Sequence, residues 1–166
     1  MIKWLRTSNS GMALATLIRL YLGFTWLTSG MQKITSVQFS SQGMVTQAIK
    51  EPVTNPAGQP AYGWYNSFLD SIVQPNISLF DFLVQYGELL IGIGLIVGAF
   101  TTSAAFFGLA LNFTYLLAGS ISINPLFVFL GFIILISGYN PGKIGLDHWI
   151  IPFLRHKFSW LEKSVN

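Results

Sequence analysis

Residues 82–100 read FLVQYGELLIGIGLIVGAF. Glu88 is the only charged side chain in this stretch, and Gln85 the only amide. Extended back to Leu79, the run reaches the ~20 residues that cross a hydrocarbon core. A carboxylate at the centre of such a run costs ~2.5–3.5 kcal/mol even on the lenient insertion scale. The stretch therefore decides two matters: the solvent around the chain is lipid, and Glu88 has work to do inside it.

The rest of the sequence agrees on the solvent. Of 166 residues, 52% are hydrophobic and 9% charged, against roughly 25% charged in soluble domains. Mean hydropathy is +0.56. Apolar runs predict four spans, at about 12–34, 79–100, 102–119 and 124–138. The chain is expected to be all-α: an integral membrane four-helix bundle forming one domain over 1–166, with an outer helical insertion at 35–78 and an interfacial tail at 139–166. Lys3 and Arg6 precede the first apolar run, which resembles a signal peptide but is too long and contains Arg19; it is read as a retained anchor.

Six of the nine basic residues (Lys3, Arg6, Lys143, Arg155, Lys157 and Lys163) lie in the two tails. The positive-inside rule then places the chain in the cell membrane with both termini cytoplasmic. Local signals fit: Ser78 and Asp81 as a capping box, Thr101–Ser103 as a cap for the third span, Asn124–Pro125 as an N-cap with proline, and YNPGK at 139–143 as a terminating turn. Met44, Val45, Ala48 and Ile49, then Trp64, Tyr65, Phe68, Leu69, Ile72 and Val73, predict two amphipathic helices in the insertion. These either cover the outer mouth or lie on the lipid. The C-terminal stretch, with Trp149, Phe153, Trp160, Arg155 and Lys157, has the composition of an interfacial helix kinked at Pro152.

Several chemistries are excluded. There is no cysteine, so no disulfide, iron–sulfur cluster or thiolate relay runs through this chain. His148 and His156 both lie in the tail, so haem ligation between spans is not expected, nor is a metal site. The pI near 9.3 does not indicate nucleic acid, because the basic residues form no groove-sized patch. The GIGLIVG run lacks a preceding strand, and Gly94-x-x-x-Gly98 reads as helix packing.

Steps of four and three along each span collect the polar and small residues on one stripe. These are Arg19, Gly23, Trp26, Gly30 and Lys33; Asp81, Gln85, Glu88, Gly92, Leu95 and Ala99; Ala105, Gly108, Asn112, Tyr115 and Gly119; and Asn124, Val128, Gly131, Leu135 and Gly138. Close helix packing and a polar intramembrane cavity both explain such stripes. Counted from the span ends, Arg19 lies roughly 10 Å deep and Glu88 roughly 13–14 Å deep from the opposite side. In a ~30 Å core they come within about one helical turn, which predicts an Arg19–Glu88 pair. The pair either locks two helices or handles a proton. Lys33 sits near the outer rim, within snorkelling reach of water.

The segments RLYLGFTWLTSGMQKI, GELLIGIGLIVGAFTTSAAFFGLALN and GYNPGKIGLDHWI together resemble DoxX-type membrane proteins, and within them the DoxD branch, described as the large subunit of thiosulfate:quinone oxidoreductase. The matching positions are Arg19, Gly23, Gly30, Lys33, Glu88, Gly98, Asn112, Asn124, Gly145 and Asp147. The resemblance implies a membrane oxidoreductase subunit with quinone as diffusible co-substrate. Arg19 and Glu88 are then the candidate catalytic residues, and Lys33, Trp26, Asn112 and Tyr115 the candidate substrate contacts. Implied partners are the lipid bilayer, a second membrane or extracytoplasmic subunit, and further copies of the chain. A non-catalytic module that binds or transports a small ligand, or a membrane scaffold, uses the same residues.

Overall fold

A computed structural model describes residues 1–36 and 39–158; Trp160 and Lys163 lie outside the described residues. The described residues are helical apart from turns and one isolated bridge between Thr54 and Pro60. The helices are α1 (Ile2–Thr7), α2 (Asn9–Thr35), α3 (Gln42–Lys50), α4 (Gly63–Phe68), α5 (Ile77–Val97), α6 (Thr101–Leu117), α7 (Asn124–Ser137) and α8 (Asp147–Lys157).

α2 packs along α5 and α7, and α6 packs along the same two helices. Their shared core holds Leu22, Trp26, Ile91, Leu95, Ala105, Phe127 and Ile134. The outward faces are greasy. Leu17, Phe24, Leu90, Phe107 and Phe129 are all exposed, Leu17 to 67%. A soluble monomer rarely leaves so much contiguous apolar surface in water. Two helical segments, Asn9–Thr35 and Gly63–Val97, are long and apolar enough to cross a membrane.

α2 begins three residues before the expected 12–34 span, because the Ser8 hydroxyl accepts the Gly11 N–H at 2.9 Å and caps it. α4 and α5 form one helical path with a local irregularity. Pro75 lacks an N–H, and the backbone absorbs this with a π turn at Leu69–Val73 and a 3-10 turn at Gln74–Asn76.

The expected Ser78–Asp81 capping box does not form. Since the helix arrives already wound, its first N–H groups need no cap. Asp81 instead accepts from the Ser41 N–H at 2.7 Å and from the Ser40 hydroxyl at 2.9 Å, tying the insertion to α5. The insertion packs over one end of α5 and α6. Val45, Ala48, Tyr65, Leu69 and Val73 form a second core against Ile77, Phe80 and Leu117, and the Tyr65 hydroxyl donates to the Thr114 carbonyl at 2.9 Å.

Three further expectations change. Gly98 ends α5, with φ +67°, a conformation that favours glycine, and its close contact, with the Arg19 side chain and Gly145, lies at the end of the helix rather than within the span. Asn124 does not cap α7: its side-chain amide donates to the Ser120 carbonyl, and Pro125 sits in the first helical turn. The most buried positions of α7 are Asn124, Phe127, Gly131, Ile134 and Ser137, while the expected Val128, Leu135 and Gly138 are half-buried beside them. Starting the stripe with a step of three rather than four turns the helix by about one residue. α8 continues through Pro152 to Lys157.

Candidate functional site

The α2–α5 contact sets what each polar residue meets. Gly23, Gly30 and Gly92 have no room for a Cβ: it would strike Ile96, Leu89 and Leu27 respectively. Backbone thus lies against backbone along an antiparallel register. That register puts Glu88 level with position 31 and Arg19 level with position 100. The separation is about twelve residues, roughly 18 Å at 1.5 Å per residue.

The expected Arg19–Glu88 pair is therefore absent. The depth count measured each span from its own apolar end, but the register follows glycine contacts that ignore where apolarity begins. The two residues belong to different ends of the molecule.

Glu88 is 1% exposed. Its Oε1 accepts the Tyr115 hydroxyl at 2.6 Å. Its Oε2 accepts Lys33 Nζ at 2.5 Å and the Ser29 hydroxyl at 2.9 Å. Lys33 Nζ also donates to Ser29 at 2.8 Å and lies 5.7 Å from the Phe39 ring centroid. Lys33 turns inward rather than snorkelling out, because a buried carboxylate without a counter-charge is far more costly than holding the lysine tip. Its side chain keeps 24% exposure, so the network touches the surface under the insertion.

Asn112, 2% exposed, lies one turn along α6 on the face of Tyr115, and its Oδ1 has no partner among the described residues. Trp26 packs beside Gly108 and 5.9 Å from the Phe127 ring. The site thus gathers Lys33, Glu88 and Tyr115, with Asn112 and Trp26 on the adjoining interior. Ser29 is the member that sequence reasoning missed; its position four residues before Lys33, on the same helix face, was the available signal.

Arg19 organises the opposite end. It is 2% exposed, and its Nη2 donates to the Ile144 carbonyl at 2.7 Å. Gly98 and Gly145 leave room for its guanidinium, since a Cβ on either would collide with it. Beside it lies Asp147, the carboxylate whose charge acts on Arg19, though no salt bridge forms between them among the described residues. Asp147 accepts the N–H groups of Phe100 at 2.7 Å and Thr101 at 2.9 Å. It caps α6 from across the chain, the task expected of Thr101–Ser103. Asp147→Ala should lower stability by about 2 kcal/mol or more, because two charge-assisted bonds to buried N–H groups vanish. Thermal unfolding in detergent measures this, and an unchanged midpoint would refute the cap.

Neither principal cavity lies between Arg19, Glu88 and Asn112. One is an apolar groove along α5 and α6, and the other a smaller polar pocket at the start of α6. The interior around Glu88 is filled by its own partners. Among the described residues no group of His, Asp, Glu or Cys is placed to hold a metal ion.

An all-helical chain with lipid-like outer faces and a charged network sealed within defines a membrane-type protein. The DoxX family model matches residues 14–121, from within α2 through α6, and includes both polar networks apart from the 140–147 loop. The chain belongs to the DoxX family, a membrane family. Comparison with curated proteins and with solved structures finds no match.

Proposed function

We propose that the chain is a four-helix membrane bundle with the outer insertion as its lid, and that it serves as a quinone-reducing subunit of an oxidoreductase fed by thiosulfate or a related small anion. The observation that carries this reading is the hydrogen-bonded chain Lys33–Glu88–Tyr115, which runs from a partly exposed ammonium through a buried carboxylate to a half-buried phenol. Quinone reduction consumes two electrons and two protons per quinol. Two thiosulfates joined as tetrathionate release two electrons. They reach the quinone directly or through a partner subunit; Tyr115 donates its proton to a quinone oxygen and is reprotonated through Glu88 from Lys33, which recharges from water, and two such passes supply the two protons. Lys33 also gives the dianion an attractive charge at the lid. Arg19, held at the other end, acts on the shape of the α5–α6 turn and not on the reaction.

Membranes containing the protein, mixed with a soluble quinone analogue and thiosulfate, provide the test. Tyr115→Phe should lower quinone reduction by about 10²–10⁴-fold, the usual loss for a missing general acid, and Glu88→Gln should act similarly. Thiosulfate-independent rates, or variants as active as the parent, would refute the reading. The full internal satisfaction of Glu88 favours a second reading, a non-catalytic binding module or scaffold. A small molecule retained on purification without turnover would select it.

A further inference from the structure

Two cavities lie apart from the Glu88 network, and they meet at one residue. The first is a groove of about 530 Å³ along α5 and α6, walled by Leu90, Gly94, Val97, Ala104, Phe107 and Leu111. Leu90, Val97 and Phe107 are exposed, so the groove opens on the outer apolar face. The second is a pocket of about 170 Å³ walled by Thr101, Thr102, Ser103, Tyr139, Asp147 and Arg155. Phe100 lines both. A polar compartment and an apolar groove that share Phe100 as a common wall lie side by side as the two parts of an amphiphile do.

The polar compartment selects the sign of the head. Arg155, in the pocket wall, stands 5.5 Å from the centroid of the Tyr139 ring, and Lys143 stands 5.7 Å from the same ring. Among the described residues no carboxylate salt-bridges either one. Asp147, the carboxylate in the wall, is already engaged by two backbone N–H groups. α6 starts here, and the N–H groups of Thr102 and Ser103 have no carbonyl four residues back within the helix. Thr101 belongs to the wall, and its hydroxyl is buried with no partner among the described residues. An oxyanion meets each of these needs: a positive helix end, a guanidinium, and a hydroxyl in want of an acceptor. Trp149 and Phe153 on the adjoining α8 are exposed, as suits a helix lying at a lipid headgroup boundary.

We propose that the two adjoining cavities bind an anionic phospholipid, with its phosphate at the Thr101 hydroxyl, the Thr102 and Ser103 N–H groups and Arg155, and an acyl chain in the α5–α6 groove. The proposal rests on the membrane reading above and not on the redox chemistry. An uncharged or zwitterionic lipid fills the groove equally well but leaves Arg155 facing a head with no net charge.

Purified protein, delipidated in detergent, is titrated with phosphatidylglycerol and with phosphatidylcholine of the same acyl chains, and bound lipid is read by native mass spectrometry. Phosphatidylglycerol should bind roughly tenfold more tightly, because both lipids bring the same phosphate but choline adds a second cation beside Arg155. Arg155→Gln should bring the ratio close to one. Ser103→Glu supplies the control for folding: a carboxylate in the first turn favours the helix, yet it repels a phosphate. A parent protein with no preference, or a preference that survives both variants, overturns the proposal. Displacement of the lipid by millimolar inorganic phosphate reassigns the pocket to a free anion and overturns it too. No turnover is measured, so failure of the quinone test leaves this result standing. Protein that stays in water without detergent would instead refute the membrane reading itself.

Discussion

Lys33→Met should destabilise the protein by about 3–5 kcal/mol, the cost of leaving a buried carboxylate without its counter-charge. Glu88 is almost wholly enclosed, and its Oε2 depends on Lys33 and Ser29. The Tyr115 hydroxyl remains on Oε1 but carries no charge to balance it. The double variant Lys33→Met/Glu88→Gln should recover most of the loss, since a neutral amide accepts from one of the Tyr115 and Ser29 hydroxyls through its oxygen and donates to the other through its nitrogen, without needing a cation. The measurement is a double-mutant cycle on unfolding in detergent. Additive single and double effects would show that the two groups do not act as a pair. The cycle also separates structure from chemistry: a double variant that folds like the parent but reduces no quinone assigns the network to proton handling.

Gly92→Leu should prevent α2 and α5 from closing. A Cβ at this position already meets the Leu27 backbone, and backbone has no rotamer through which to yield. Overpacking a core commonly costs about 1–3 kcal/mol, and more where the obstacle is main chain. Gly30→Leu meets the Leu89 backbone in the same way. Gly43→Leu is the contrast, because nothing lies within reach of its added side chain. Protease sensitivity of the folded protein should rise sharply for the first two and stay unchanged for the third. Equal sensitivity across all three would show that the close approach contributes nothing to assembly.

The helical character and the inward stripe were legible because both follow from local sequence. A 3.6-residue period marks one face whatever the partner, and Arg19, Gly23, Trp26, Gly30, Glu88, Gly92, Gly108 and Asn112 are all buried. What Glu88 meets was not legible. Partner identity depends on how far one helix slides along another, and that is set by three glycine contacts rather than by the ends of apolar runs. The same slide separates Arg19 from Glu88 and splits the family-like positions in two: Lys33 and Glu88 at one end; Arg19, Gly98, Gly145 and Asp147 at the other. Asp81, and the cap of α6 that Asp147 supplies, escaped for a related reason. Each aspartate looks like a residue for its own neighbourhood, yet each satisfies backbone about 40 or more positions away, and such pairings leave no periodic trace.

Asp147 also imposes an order of events on synthesis. The first turn of α6 is completed by a side chain 46 positions further along. At 5–20 residues per second, roughly 2–9 s pass between the emergence of Thr101 and that of its cap. Through that interval the α5–α6 hairpin exists with open N–H groups at its tip. When the 140–147 loop arrives, its backbone N–H groups at Leu146 and Asp147 bond the Val97 and Gly98 carbonyls as the carboxylate bonds Phe100 and Thr101. The 140–147 loop is therefore the clasp that fastens a hairpin made seconds earlier, and a nascent chain released short of Asp147 would carry that hairpin unfastened.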